Sequence, residues 1–499
     1  MSSTAAPLEA QALSPAETLR IWTRHLVSFY IPGVSLAFVL TGPHRWWVAI
    51  LVMLPLVWAH QADCSARVER RQPSRAVPAG PFDALVYALV ALQLWIVAEL
   101  VWMFSAGGQG FFSTDMVMVF LAVGASSGFS IITAHELIHR PRKWEQQLGR
   151  LLLATVLYEH FYTEHLRGHH VRVGTPEDPA TARFGERYEP FFRRTVKAQL
   201  RSAWRLEAKR LGDVEMEIFD RRQLGNRVLH GLVFEWSLAV GILATLGFVA
   251  FFAFVLQAFV AVRLLEAVNY FEHWGLRRQG DRVRPVDSWD THGWFTYYGL
   301  IGLSRHADHH AYPIRPYQKL RVWEEAPILP FGYVGSVDQV MANNDEFMRA
   351  ATLELGRRRL GPFTPEASRP AEPASEPLAE EQALEALAGA RAAEDRGVRV
   401  RMGPVALLRR VFGRLDPRLR ATLALAALLV ASTAAVQWET GAQDGFGARL
   451  ALHAWIFASI GATIFVGQRL NQRTGNESLA WSTAMALLAL LGTLSDQLL

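Results

Sequence analysis

Apolar residues in this chain come in long runs, without strand-like alternation and without a narrow helical stripe. A helix needs about 20 largely apolar residues to cross a bilayer. Runs approaching that length lie at about 26–42, 45–60, 82–104, 114–134, 230–247, 249–268, 419–437, 449–467 and 479–496. The stretch from about 228 to 268 is too long for one crossing at about 1.5 Å per residue, and predicts a helical hairpin turning near Gly247. The apolar run at 150–161 is short and reads as buried or interfacial. The pattern therefore predicts an all-α, polytopic transmembrane protein. The polar start, with Glu9, Glu17, Arg20 and Arg24, is unlike a cleavable signal peptide. The first run is accordingly expected to be an uncleaved anchor.

Charge adds an orientation. Basic residues follow alternate runs: Arg67, Arg70, Arg71 and Arg75, then Arg140, Arg142 and Lys143, then Arg277 and Arg278. The intervening loops, such as SAGGQGFFSTD at 105–115, are poor in positive charge. The positive-inside rule then places the amino terminus and the stretches 140–228 and 269–418 in the cytoplasm. Residues 362–395, rich in Ala, Glu and Pro, read as a flexible linker leading into a short helix. A basic segment at 399–420 is expected to lie on anionic lipid. The loop before the last run carries Arg469 and Arg473 and is again cytoplasmic, so nine crossings leave the carboxyl terminus outside. Three regions are expected: a core at 1–360, a linker and membrane-surface segment at 361–418, and a carboxyl-terminal bundle of unknown role at 419–499.

Composition narrows the chemistry. The chain has 499 residues, is 51% hydrophobic and has a net charge of +5. Without a basic–aromatic module, that charge fits a basic membrane face and argues against nucleic acid. A single cysteine, Cys64, excludes an intramolecular disulfide and a built-in four-cysteine iron centre.

Histidine is the unusual residue. Nine of the 16 histidines fall in four short groups: His135 and His139 in HELIHR; His165, His169 and His170 in EHLRGHH; His273 in NYFEHWGL; and His306, His309 and His310 in LSRHADHH. Each group sits near the predicted cytoplasmic end of an apolar segment. Residues three and four apart share a helical face, so His135/His139, His165/His169 and His306/His309/His310 can each aim imidazoles at one point. Polar groups near the bilayer core are costly and mark function. Nine ligands exceed the four to six that one ion takes, which implies two ions. Imidazole ligation suits Zn, Cu, Fe or Ni. HELIH also matches the HExxH zinc-protease pattern, but a protease would leave the other histidines unexplained. A metal transporter would spread them along a transmembrane path.

Together HELIHR, FYTEHLRGHHVRVGTPEDPATARFGE, NYFEHWGL and LSRHADHHAYPIRPYQKLR resemble the integral-membrane alkane 1-monooxygenase family, within the membrane fatty-acid desaturases and hydroxylases. The resemblance is strong over about 120–335 and weaker over about 25–120; NYFEHWGL separates alkane hydroxylases from ordinary desaturases. It implies a six-helix core, with the last three runs additional to it, and a cytoplasmic di-iron site on all nine histidines. It also implies O2-dependent hydroxylation of a terminal or methyl C–H bond in a hydrophobic molecule, most of all a medium- or long-chain alkane. Electrons would come from NAD(P)H through a reductase and a rubredoxin-type donor. The implied location is a bacterial inner membrane with the site facing the cytoplasm. Desaturation, or hydroxylation of fatty acyl or alkyl-aromatic substrates, is the alternative; a zinc intramembrane protease is remote.

The chain departs from the family at Ile138, Ser304, Ala307, Asp287 and Trp58. These positions are expected to bear on the metal's surroundings and the substrate tunnel. Glu136, Glu272 and Asp308, with Glu164, lie beside the histidines. Metal-bound imidazoles usually donate their second N–H to such groups, and Asp308 and Glu272 are the foremost candidates. His160 and His292 are expected to hydrogen bond. Trp95, Trp102, Phe120 and Phe129 either line a substrate route or face lipid. Arg140, Arg142, Lys143, Arg315, Lys319 and Arg321 flank the groups as an expected docking surface for an acidic donor.

Overall fold

The computed structural model describes residues 13–395, apart from 46–47, 49–50, 52, 66, 75, 107–109 and 366–376. The basic segment at 399–420 and the three last apolar runs lie outside the described residues.

The described chain is helical; among its residues β-pairing is confined to two isolated bridges. Helix α1 (Pro15–His25) runs through a 3-10 turn into α2 (Tyr30–Thr41). Ser14 starts it with a reciprocal cap, its hydroxyl accepting the Glu17 N–H while the Glu17 carboxylate accepts the Ser14 N–H. Helix α3 (Met53–Asp63) is short, and α4 (Gly80–Ala106) spans about 40 Å at 1.5 Å per residue. A third span consists of α5 (Thr114–Met118), a π turn (Val119–Val123) and α6 (Gly124–Ile138). Helix α7 (Lys143–Thr155) follows, with Leu152 and Leu153 fully buried, as expected for the short run at 150–161. Next come α8 (Phe161–Glu164), a second π turn (His165–His169), α9 (His170–Arg172) and α10 (Tyr188–Arg210). Helices α11 (Arg227–Leu246) and α12 (Phe248–His273) form the predicted hairpin. Its turn is Gly247 at φ +86°, a conformation that a Cβ disfavours. The remaining elements are α13 (Trp294–Gly299), α14 (His306–Ala311), α15 (Tyr333–Ala342), α16 (Asn344–Arg358) and α17 (Pro377–Asp395).

Five helical segments are long and apolar enough to cross a membrane: Pro15–Thr41, Gly80–Ser105, Thr114–Ile138, Arg227–Leu246 and Phe248–His273. They match five of the six expected core runs, and the protein is a multi-pass membrane protein. The run at 45–60 is partly outside the described residues, and its described part belongs to α3.

Packing between spans uses small residues and a few polar ties. A Cβ on Gly124 would lie 2.5 Å from Val260, so α6 and α12 approach closely there. Gln93 of α4 donates to Ser127 and accepts from Ser126, both at 3.0 Å. Ser35 donates to the Ala122 carbonyl at 3.1 Å, giving a partner to backbone in the π turn. Asp63, at the end of α3, accepts the Gly335 N–H at 3.0 Å and the Thr296 hydroxyl proton. This clamp sets the start of α15, and with it Tyr333.

Candidate metal centre

Helices α6 and α12 carry His135, His139 and His273 at their carboxyl-terminal ends, α8–α9 bring three more histidines, and α14 brings the last three. The nine imidazoles gather into two groups. His135, His139, His165, His170 and His309 form the first, and His169, His273, His306 and His310 the second; within each, one nitrogen per ring lies within 4.8 Å of all the others.

This partition differs from the simple helical expectation. His165 and His169, four apart, diverge into different groups. The π turn over His165–His169 shifts the register by one residue. His165 therefore meets His170, Nε2 to Nε2, at 3.0 Å. Within α14, His306 and His310 share the second group while His309 reaches the first.

The spacing suits ligation. Two nitrogens bound to one ion at about 2.1 Å and at right angles stand about 3.0 Å apart. The Nε2 atoms of His139 and His165 are 3.0 Å apart, those of His170 and His309 3.1 Å, and those of His273 and His306 3.2 Å. His135 Nε2, His169 Nε2 and both nitrogens of His310 are buried without a hydrogen-bond partner among the described residues. Such orphans are costly unless something else satisfies them. Burial also pushes His165, His170, His306, His309 and His310 well below the usual imidazole pKa, with neighbouring imidazoles adding to the effect. Neutral rings offer lone pairs. The residues present therefore fit two imidazole-bound metal ions.

The carboxylates divide by partner. Asp308 accepts from the Arg315 guanidinium, the Arg321 N–H at 2.9 Å and Trp323 Nε1 at 2.7 Å, so it organises the chain after α14. Glu136 pairs with Arg140 at 3.1 Å, and Glu164 with Arg172 at 2.7 Å. Glu272 is the expected acid that lies beside an imidazole, its Oε2 3.2 Å from His306 Nε2. An acid to which the sequence reading assigned no role, Asp178, sits 2.9 Å from His169 Nδ1. It is itself held by the Thr181 hydroxyl at 2.6 Å and the Ala180 N–H at 3.1 Å. That contact fixes the ring and leaves His169 Nε2 facing its group. Asp178 stands in GTPEDPATA, nine residues past His169, a separation that no helical spacing flags.

Other expectations shift as well. His160 lies edge-on to Tyr158 at 4.4 Å between centroids, and both its nitrogens are buried without a partner among the described residues. His292 offers its carbonyl to the Glu69 N–H at 2.8 Å. Arg140 is 9% exposed and meets Asp83, Glu136 and Glu145, so it ties α4, α6 and α7 together and is withdrawn from the surface.

A cavity of about 230 Å³ reaches His135 and His165 of the first group and His306 of the second. Its wall is mostly apolar, with Ile31, Leu121, Phe129 and Val268, and its polar contributors include Asn269, Glu272 and Tyr333. Of the four aromatics considered, Phe129 lines it; Trp95, Trp102 and Phe120 are exposed, as lipid-facing residues are. Ile138, Ser304, Ala307, Asp287 and Trp58 are not in its wall. Ile138 packs on α7 at Gly149, and the Ala307 N–H goes to Asp290 at 2.7 Å.

Apolar spans that end in clustered, buried imidazoles beneath an apolar cavity define a histidine-box membrane protein. Consistent with that class, the fatty acid desaturase family pattern matches residues 114–335, which contain all nine histidines. Alkane 1-monooxygenase 1 of Pseudomonas aeruginosa is 42% identical over 224 residues, 44% of this chain and 58% of the relative. Alkane 1-monooxygenase of Acinetobacter baylyi is 39% identical over 225 residues, 44% of this chain and 54% of the relative. Alkane 1-monooxygenase 2 of P. aeruginosa is 35% identical over 314 residues, 59% of this chain and 80% of the relative. The chain thus spans little more than half the length of the first two relatives and four fifths of the third. It belongs to the alkane 1-monooxygenase family.

Proposed function

We propose that the protein is a non-haem di-iron monooxygenase that hydroxylates a terminal or methyl C–H bond of a hydrophobic molecule, foremost a medium- or long-chain alkane. The observation that carries this reading is the apolar cavity that touches imidazoles of both groups. Iron, when bound, supplies the redox chemistry that attack on an unactivated C–H bond requires. One oxygen atom of O2 enters the substrate and the other leaves as water, with two electrons and two protons consumed.

The chain's own residues do the rest. His135, His139, His165, His170 and His309 hold one ion, and His169, His273, His306 and His310 the other. Asp178 orients His169. Glu272 lines the cavity beside His306, and the Tyr333 hydroxyl donates to its other carboxylate oxygen. Glu136 and Asp308, expected from sequence to act at the centre, take supporting roles through Arg140 and Arg315. The apolar wall admits alkyl chains from the bilayer and excludes water.

Electrons come from outside the chain, since Cys64 alone cannot hold an iron–sulfur centre. A rubredoxin-type donor, reduced by an NAD(P)H-dependent reductase, fits the exposed Arg142 and Lys143 and the partly exposed Lys319 and Arg321. The arginine and lysine bias supports a cytoplasmic position for this face, and the family resemblance supports a bacterial inner membrane. The core at 1–360 carries the chemistry; the segments at 361–418 and 419–499 are accessory to it.

The desaturase pattern favours a second reading, desaturation or hydroxylation of fatty acyl or alkyl-aromatic substrates by the same centre. The zinc-protease reading loses ground, because Glu136, the base it needs, is paired with Arg140. Membranes supplied with mixed alkanes, fatty acyl and alkyl-aromatic compounds, reductant, donor proteins and isotopically labelled O2 test the reading. A labelled primary alcohol from an alkane is the expected product. An unlabelled olefin as sole product selects desaturation, and substrate turnover without O2 consumption rejects both.

A further inference from the structure

Helix α10 carries Arg193, Lys197, Arg201, Arg205 and Lys209 at four-residue spacing, all exposed. Residues four apart share a helical face. The same spacing, two residues out of step, gives the buried face: Phe191, Thr195, Gln199, Ala203 and Glu207. Among the described residues no salt bridge joins any of the five cations to an acid. The two ends of α10 are held by the two arms of the α11–α12 hairpin. The Tyr188 hydroxyl donates to the Arg263 carbonyl at 2.6 Å, and Glu207 accepts the Arg227 N–H at 3.1 Å. Arg263 and Arg227 stand about 24 and about 30 Å along the arms from the turn at Gly247, at 1.5 Å per residue. A hydrocarbon core is about 30 Å thick. The helix therefore lies where the hairpin leaves the hydrocarbon, at the level of the lipid headgroups. The loop that follows, 211–225, leads into α11 and is apolar at its surface: Ile218 is 68% exposed, Phe219 97% and Leu224 73%. Its exposed acids, Glu215 and Glu217, are outnumbered by the stripe. A charge stripe alone fits solvent. Large apolar side chains left bare beside an entering span fit a bilayer.

We propose that α10 and this loop form an anchor for anionic phospholipid. The five cations take headgroup phosphates of the leaflet at this end of the hairpin. Ile218, Phe219 and Leu224 enter the boundary between headgroups and acyl chains. Each lysine or arginine near an anionic membrane surface strengthens association about fivefold. The partner is the bilayer rather than an acidic protein, because the exposed apolar surface runs on from the loop into α11, where Val233, Phe234 and Trp236 are exposed. The anchor also reaches inward. Gln199 donates to Glu266 at 2.9 Å, and Ser202 accepts from Arg172 of α9 at 2.7 Å. Lipid held on the outer face of α10 thus braces the helix that backs α9 and its His170.

The test uses the full-length protein in nanodiscs of phosphatidylcholine and phosphatidylglycerol. In a Cys64→Ser background, a nitroxide on Phe219→Cys should be relaxed by oxygen dissolved in the membrane and shielded from a water-soluble nickel chelate. A nitroxide on Glu325→Cys, an exposed position beyond the last histidine, should show the reverse. With spin-labelled lipids, wild type should favour phosphatidylglycerol over phosphatidylcholine at least about fivefold, the contribution of one cation at a charged surface. The combined variant R193Q, K197Q, R201Q, R205Q and K209Q should lose that preference, as wild type should in high salt. The measurement at 219 decides the matter if the combined variant fails to insert. A label at 219 that meets nickel as freely as the one at 325, or an unchanged lipid preference in the combined variant, would overturn the inference. Loss of donor-dependent turnover in that variant with lipid preference intact would also overturn it, and would assign the stripe to an acidic protein.

Discussion

The two histidine groups are built from the same side chain but treat nearby acid differently. Beside the first group, Glu136 and Glu164 face Arg140 and Arg172. Beside the second, Asp178 and Glu272 approach imidazoles directly, at 2.9 and 3.2 Å. Carboxylates near the first group are thus neutralised by the scaffold and tie helices together. Those near the second group lie against its imidazoles instead. Acids that flank the histidines do different work according to whether they meet a guanidinium or an imidazole.

The largest effect should come from removing an imidazole. His309→Ala should empty the first group and His273→Ala the second, and either should take hydroxylation below detection. Metal content per chain, measured beside product formation, checks this. Loss of both metals from either variant would show that the groups are one cooperative site, and full activity would remove that histidine from the centre.

Next in size are the arginines. Arg140→Met strands three carboxylates, of which Glu145 is 3% exposed. Removing one partner of a buried pair typically costs about 3–5 kcal/mol, so thermal unfolding in detergent should fall markedly. Unchanged unfolding would mean that the first group's acids are solvated in the membrane.

Asp178→Asn should behave in the opposite way. Folding should hold, while metal affinity falls about 10–100-fold, the usual cost of losing a carboxylate behind a ligating histidine. Equilibrium metal binding measured alongside the Arg140 variant sharpens the contrast between scaffold acid and centre acid.

A smaller effect is expected in the cavity. Ala125 lines it, and Ala125→Leu should shorten the preferred substrate, with each excluded methylene costing about 1–3 kcal/mol in discrimination. Competition between alkanes of different length reads this directly. The smallest effect is expected at α17, which carries none of the nine histidines. Leu387 of α17 packs against Leu353 and at Gly356 of α16. Ending the chain after residue 396 should leave metal content and stability unchanged. Ending it after 365 removes that contact and should cost about 2 kcal/mol, the burial of one leucine, without loss of metal.

The sequence by itself determined five of the spans and the nine histidines that gather at their ends. Apolar runs must be long to cross lipid, and imidazoles that leave water must be satisfied, so both are written in local composition. The hairpin at Gly247 was legible for the same reason. The sorting of His165 and His169 was not, because a π turn depends on how a helix packs and leaves the residue spacing unchanged. Nor was the fate of the acids: Asp308 meets Trp323, Glu272 meets Tyr333 and Arg140 meets Asp83 only after distant segments are folded together. The cavity likewise has walls from α2, α3, α6, α12 and α15. Enclosure and charge pairing are properties of three-dimensional neighbours, and those neighbours are set by the tertiary fold.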